Sequence, residues 1–170
     1  MKITIQTKSK EEQMYDEYLR EHIANVKKAY DLYSGILLDY LTMKDKTQLL
    51  KRVNRHDLSK WSKEEYQPYI QYFYPKEGQT PNEEIFERAW QHHYKNNDHH
   101  PEYWWREGRE SLAMTNEAIA EMFLDWIAMT MKFKTNMVEW FKEHKDELNF
   151  NPYTLVKVEE ILNLEFINEI

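Results

Sequence analysis

The sequence predicts an all-α protein, a single helical domain of about six to seven helices, on three observations. Three glycines in 170 residues leave little material for the tight turns of a β-rich chain. Apolar side chains recur three or four residues apart through long stretches, the spacing of a helix face. Several of those stretches open on a helix-start signature.

Taken in order, the first helix starts at Ser9, which forms a capping box with Glu12, and carries Tyr15, Leu19, His22, Val26, Tyr30, Tyr33, Leu37 and Tyr40 on one face. A second runs from about Thr47 to Arg55 on Leu49, Leu50 and Val53, and a third begins at Ser62 with Glu65 closing another capping box. His56 to Trp61 lies between them. Thr80-Pro81-Asn82-Glu83 supplies an N-cap, a proline at the first helical position and a Glu at the third. That helix continues through Ile85, Phe86, Ala89, Trp90 and His93 and stops near Asn96-Asn97. Further helices are expected from about Asn116 to Phe133, from Met137 to Glu147, and from Asn151-Pro152 to about Leu164. Pro75 to Gln79 and Asp98 to Met114 read as irregular. One domain is therefore expected over residues 1–170, with its core in about 9–133 and a helical extension in 134–170.

Composition narrows the function. With 31% charged residues and a mean hydropathy of −0.90 the chain is polar, but 6 Trp, 12 Tyr and 7 Phe supply a packed core. No cysteine is present, which excludes disulfides, thiolate catalysis and iron–sulfur ligation and fits a reducing cytoplasm. The first twelve residues lack the apolar centre of a signal peptide, and no apolar run approaches the roughly 20 residues of a membrane helix. A soluble cytoplasmic protein is expected, with the membrane excluded as a partner and homo-oligomerisation left open. A net charge of −7 and a pI near 5.5 give no strong nucleic-acid signature, so a small substrate is the better expectation.

The histidines carry the chemistry. His22 sits within the apolar stripe of the first helix and points inward; alone, it reads more readily as a hydrogen-bonded core residue than as a ligand. His56 and Asp57 are adjacent at a helix end, where neighbouring side chains can converge. Asp125 lies in a helix that is apolar on nearly every face, on a stripe with Ala118, Met122 and Met129. A carboxylate there needs a partner, either an arginine such as Arg20 or Arg52, a histidine, or a divalent metal. Four of the seven histidines fall in nine residues, as the doublets His92-His93 and His99-His100. His93 continues the apolar face and His92 is about 100° away from it; either of His99 and His100 could turn inward. His144, among charged residues, is expected to face solvent.

Together these residues make a nitrogen and oxygen donor set without sulfur. His22, His56, Asp57, His93, His100 and Asp125 are the first choices, with His92 and His99 second. Such a set suits one or two divalent ions, Mn, Fe, Co, Ni, Mg or Zn, and two would be bridged by Asp57.

A histidine on one helix, a His-Asp doublet on the next and an aspartate on a later buried helix resembles the HD superfamily of metal-dependent phosphohydrolases, over about residues 14–133. The intervening histidines are similar to those of the dinuclear branch, which includes HD-GYP phosphodiesterases and myo-inositol oxygenase-like di-iron enzymes. His56-Asp57-Leu58-Ser59-Lys60 resembles the HD-x-G-K string of that branch, with Ser59 in place of the glycine. His99-His100-Pro101-Glu102-Tyr103 stands where a GYP sequence would be, so cyclic-dinucleotide hydrolysis is not implied. His56 to Ser62, Ala89 to Tyr94, His99 to Trp104 and Glu121 to Trp126 also resemble a small uncharacterised family of phages and bacteria.

The resemblance implies metal-activated hydroxide attacking a small phosphate ester such as a nucleotide. Asp57, Lys60 and Glu121 would be the catalytic residues, Lys60 neutralising a phosphate oxygen and Glu121 acting as general acid or as partner to a ligand histidine. Arg55 and Arg20 would assist from the rim. Trp61, Tyr94, Trp104 and Trp105 could stack a nucleobase. Two alternatives keep the same residues: a di-iron oxygenase, and a non-catalytic protein that binds a nucleotide or a partner. For the latter, Leu155, Val158, Ile161, Leu162 and Phe166 form an amphipathic face.

Overall fold

The structure, a computed structural model, describes residues 7–169. Residues 1–6 and 170, the ends of the expected domain, lie outside the described residues. Among the described residues there are seven α-helices: α1 (Lys10–Tyr40), α2 (Lys46–Val53), α3 (Tyr66–Phe73), α4 (Glu83–Asn96), α5 (Asn116–Phe133), α6 (Met137–Leu148) and α7 (Pro152–Leu162). Two short 3-10 segments, Leu58–Trp61 and Pro101–Trp104, lie between helices, and another, Glu165–Glu169, follows α7. No strand occurs among the described residues, only an isolated bridge between Arg106 and Arg109.

Local chemistry accounts for most helix starts. At α1, Glu12 N donates to Ser9 Oγ at 3.2 Å and Ser9 N donates to Glu12 Oε2 at 2.7 Å, the reciprocal pair the spacing predicts. Thr115 accepts the Ala118 N–H at the start of α5. Two starts differ from expectation. The N-cap of α4 is Asn82 rather than Thr80, its Oδ1 accepting from Ile85 N at 3.0 Å, which places Glu83 and Glu84 in the first turn against the positive end of the helix dipole. No helix opens at Ser62. α3 begins only at Tyr66, because the Glu65 carboxylate turns inward to two histidines and a serine instead of closing a capping box.

Helices α1 and α5 form the centre. Ala118, Ile119, Ala120, Met122, Phe123, Leu124, Ile127 and Ala128 of α5 are all buried, so the helix is wrapped on nearly every side. They share one apolar cluster with Val26, Ala29, Leu37 and Leu38 of α1, Leu49 and Val53 of α2, Met137 and Phe141 of α6, and Val158, Ile161 and Leu162 of α7. The apolar face of α7, with Phe166 beyond it, is thus used inside the chain, where Val158, Ile161, Leu162 and Phe166 are buried. A second, smaller cluster joins Tyr15 and Leu19 of α1 to Tyr69 and Ile70 of α3 and Ala89 of α4. Along α1, His22 falls between Leu19 of the small cluster and Val26 of the large one. Polar groups therefore collect at the seam between two apolar regions. Among the described residues, no helix is long and apolar enough to cross a membrane.

Candidate metal centre

Four parts of the chain deliver side chains to this seam. α1 contributes His22, and the turn after α2 contributes His56 and Asp57. Asp57 has a left-handed backbone (φ 57°, ψ 20°), a conformation that aspartate tolerates better than most residues. With the chain so turned, neighbouring His56 and Asp57 are 2% and 1% exposed and face one point. α5 contributes Glu121 and Asp125, one turn apart on one face. His93 comes from the last turn of α4, and His99 and His100 from the segment after it.

The imidazole Nε2 atoms and the aspartates converge. Asp57 Oδ2 lies 3.3 Å from His22 Nε2 and 3.7 Å from His56 Nε2. Asp125 Oδ1 lies 3.2 Å and 3.7 Å from the same two nitrogens, which are 3.2 Å apart. On its other side, Asp57 Oδ1 lies 3.4 Å from His93 Nε2 and 3.6 Å from His99 Nε2, and His93 Nε2 lies 2.9 Å from His100 Nε2. Two donors about 2.1 Å from one ion at right angles stand about 3 Å apart. Buried groups of His22, His56 and Asp125, and of Asp57, His93, His99 and His100, therefore can hold a metal ion.

Buried atoms without partners fit the same conclusion. Asp57 Oδ1 and His99 Nε2 accept and donate no hydrogen bond, a costly state for polar atoms that a cation between them would relieve. Three of the outward nitrogens, in contrast, face carboxylates, whereas His22 Nδ1 has no partner among the described residues. His56 Nδ1 is 2.9 Å and His99 Nδ1 3.4 Å from Glu121 Oε1, and His93 Nδ1 is 2.8 Å from Glu65 Oε2. An Nδ1–H donated to a carboxylate leaves the Nε2 lone pair facing inward, the arrangement that metal-ligating histidines use. Glu121 is itself held by Arg52, whose Nε donates to Oε2 at 2.6 Å and which also pairs with Asp98.

The electrostatics are those of a dense, buried charge cluster. Burial pushes the His56 imidazole down, but Asp57, Asp125 and Glu121 overcome this and push it up to about 10. His22 is raised for the same reason, burial being outweighed by Asp125 and Asp57. Asp57 and Asp125 stay well below the usual carboxylate range despite their burial, Asp57 through His56 and Lys60, Asp125 through His22 and His56. Burial, with neighbouring His100 and His56, holds His99 well below its ordinary value, and burial beside His93 lowers His100 to about 3. Both present neutral rings.

Several expected residues are placed differently. His99, a second choice from the sequence, sits in the centre and is more buried than His100. His92 turns away to Glu65 Oε1 at 2.7 Å with its side chain 35% exposed, as expected from its angle on α4. Glu121 takes the place of a partner to His56, one of its two expected roles, and of the partners expected for Asp125 the structure brings histidines rather than Arg20 or Arg52. Arg20 is exposed and paired with Asp16, and Arg55 is exposed on the turn after α2. His144 is turned back to the Trp140 carbonyl, away from the centre. Glu65, read from the sequence as a cap, is the residue that sequence reasoning missed, since nothing in its spacing distinguishes an acid that caps from one that turns inward.

A cavity of about 930 Å³ reaches the centre, and its lining includes His22, Lys60, His100 and Asp125. Lys60 Nζ lies 2.6 Å from Asp57 Oδ2. The aromatics expected to stack a base are elsewhere. Trp61 packs on Tyr66, Tyr94 meets Trp90 edge-on, and the Trp104 and Trp105 indoles donate to the carbonyls of Asp98 and Leu148. The indoles that line the cavity are Trp90, Trp126 and Trp140.

No curated protein and no solved structure matches the chain. The model of a family of unknown function, DUF5662, matches residues 11–164, a span holding every residue of the centre, and the chain belongs to that family.

Proposed function

We propose that the protein is a divalent-metal-dependent phosphohydrolase of the HD type, acting in the cytoplasm on a small phosphate ester. The observation that carries this reading is the Asp57 carboxylate, shared between two groups of inward-facing imidazole nitrogens. His22, His56, Asp125 and Asp57 Oδ2 would hold one ion, and Asp57 Oδ1, His93, His99 and His100 a second. The sulfur-free donor set suits Mn, Fe, Co, Ni, Mg or Zn. A bound divalent ion supplies a water of lowered pKa and polarises a phosphoryl oxygen.

The chain's own residues complete the chemistry. Lys60, lining the cavity with its ammonium against Asp57, neutralises a non-bridging phosphate oxygen as negative charge grows. Glu65 and Glu121 keep the Nε2 lone pairs of His93 and His56 directed inward. The apolar clusters on either side keep the dielectric low, which strengthens each of these interactions.

The test is elemental analysis of untagged protein purified without chelator, paired with phosphate release from simple phosphate esters. The parent should carry about one to two divalent ions per chain and hydrolyse an ester only when loaded. Asp57→Asn, which keeps the shape and tolerates the left-handed backbone, should lose most of the metal. Equal metal content in parent and variant overturns the reading, as does a loaded protein that releases phosphate from no ester.

A further inference from the structure

We infer that the cavity beside the centre takes a phosphate monoester with a bulky apolar body, an aryl or alkyl phosphate, in preference to a nucleotide carrying a phosphate chain. This inference rests on the phosphohydrolase reading and names its substrate class.

Charge makes the first argument. The lysines lining the cavity are Lys60 and Lys132, no arginine lines it, and both lysines already face carboxylates, Asp57 and Glu21 respectively. Lys60 and the metal centre together serve one phosphate. A second or third phosphate would need a further cation, and among the described residues of the lining Lys132 is already taken up by Glu21 while Glu17 adds negative charge.

Apolar surface makes the second. Phe86, Trp90, Trp126 and Met129 line the same cavity as the metal-facing residues. Where the lining meets solvent, Met14, Phe73 and Phe133 are 44%, 54% and 53% exposed. Large side chains left open at the mouth of a cavity mark a site for an apolar ligand, and affinity rises about fourfold for each methylene such a ligand buries. A volume of about 930 Å³ accommodates a body well beyond the phosphate itself. In the reaction the water oxygen bonds to phosphorus, the ester P–O bond breaks, and the leaving aryl or alkyl oxygen takes a proton, giving inorganic phosphate and the alcohol.

The test is calorimetric titration of the Mn²⁺-loaded full chain with three probes that resist hydrolysis: (1-naphthylmethyl)phosphonate, methylphosphonate and the methylene-bridged analogue of ATP. The naphthyl probe should bind about a hundredfold tighter than methylphosphonate and about tenfold tighter than the ATP analogue. Phe133→Glu, at an exposed position that does not threaten the fold, should narrow the naphthyl-to-methyl ratio about tenfold. Equal or tighter binding of the ATP analogue, or a ratio unchanged in Phe133→Glu, overturns the inference. Preferential naphthyl binding without phosphate release from 1-naphthyl phosphate supports the ligand class and overturns the hydrolase reading. Release of phosphate with a preference for ATP does the reverse.

Discussion

Glu121 Oε1 accepts the Nδ1–H of His56 at 2.9 Å, and the opposite nitrogen of that ring then faces Asp57 and Asp125. Replacing Glu121 by Gln removes the charge that holds the tautomer. Metal affinity should fall about 10- to 100-fold, as measured by competition with a chromophoric chelator. Affinity unchanged in Glu121→Gln would mean that His56 is not a ligand.

Glu65 makes the same bond to His93 from the other side of the centre, while its second oxygen takes His92. Glu65→Ala should therefore weaken metal binding by about tenfold or more. His92→Ala, a change at a partly exposed ring outside the donor groups, should alter it by less than about threefold. A larger loss in His92→Ala than in Glu65→Ala would contradict the assignment of His93 as the ligand of that doublet.

Stability should respond to pH in opposite directions with and without metal. In the metal-free chain the folded His56 titrates near 10 against an ordinary value of 6.5. Its stabilising contribution is then fully present below about pH 6.5 and is lost as pH rises through 10. Asp57 and Asp125 contribute above their ordinary 3.8 and lose that contribution only as pH falls toward their depressed folded values. Metal requires unprotonated imidazoles. The melting temperature of the metal-free protein should thus decline between about pH 6.5 and 10, while the increment added by Mn²⁺ grows over the same interval. An increment that shrinks with rising pH would argue against His22 and His56 as ligands.

Lys60→Met removes the ammonium that lies 2.6 Å from Asp57 Oδ2. Hydrolysis of a phosphate ester should drop about a hundredfold in kcat/KM, with metal content retained. Steady-state kinetics beside elemental analysis separates the two effects, and loss of metal with activity per bound ion unchanged would assign Lys60 to the centre's assembly instead.

The C-terminal helices should be as integral to stability as the centre of the fold. Ile161 of α7 is fully buried in the cluster built on α1 and α5. Ile161→Ala should cost about 2–5 kcal/mol of unfolding free energy, read from the urea midpoint. A cost below about 0.5 kcal/mol would show that α7 is loosely attached.

The sequence by itself determined the all-α class, the run of α5 from Asn116 to Phe133, the capped start of α1 at Ser9, and the inward direction of His22 and Asp125. Each of these follows from contacts three or four residues apart, which helical geometry sets without reference to the rest of the chain. Tertiary structure alone decided that His99 enters the centre while His92 leaves it, that Glu65 turns inward instead of capping α3, and that Arg52 reaches Glu121. The bonded residues in these cases lie far apart in the chain, 28 residues for Glu65 and His93 and 69 for Arg52 and Glu121. Outside a helix, the direction of a side chain such as that of His99 depends on local backbone torsions and on which buried partner can compensate its desolvation. That partner exists only once distant segments have packed.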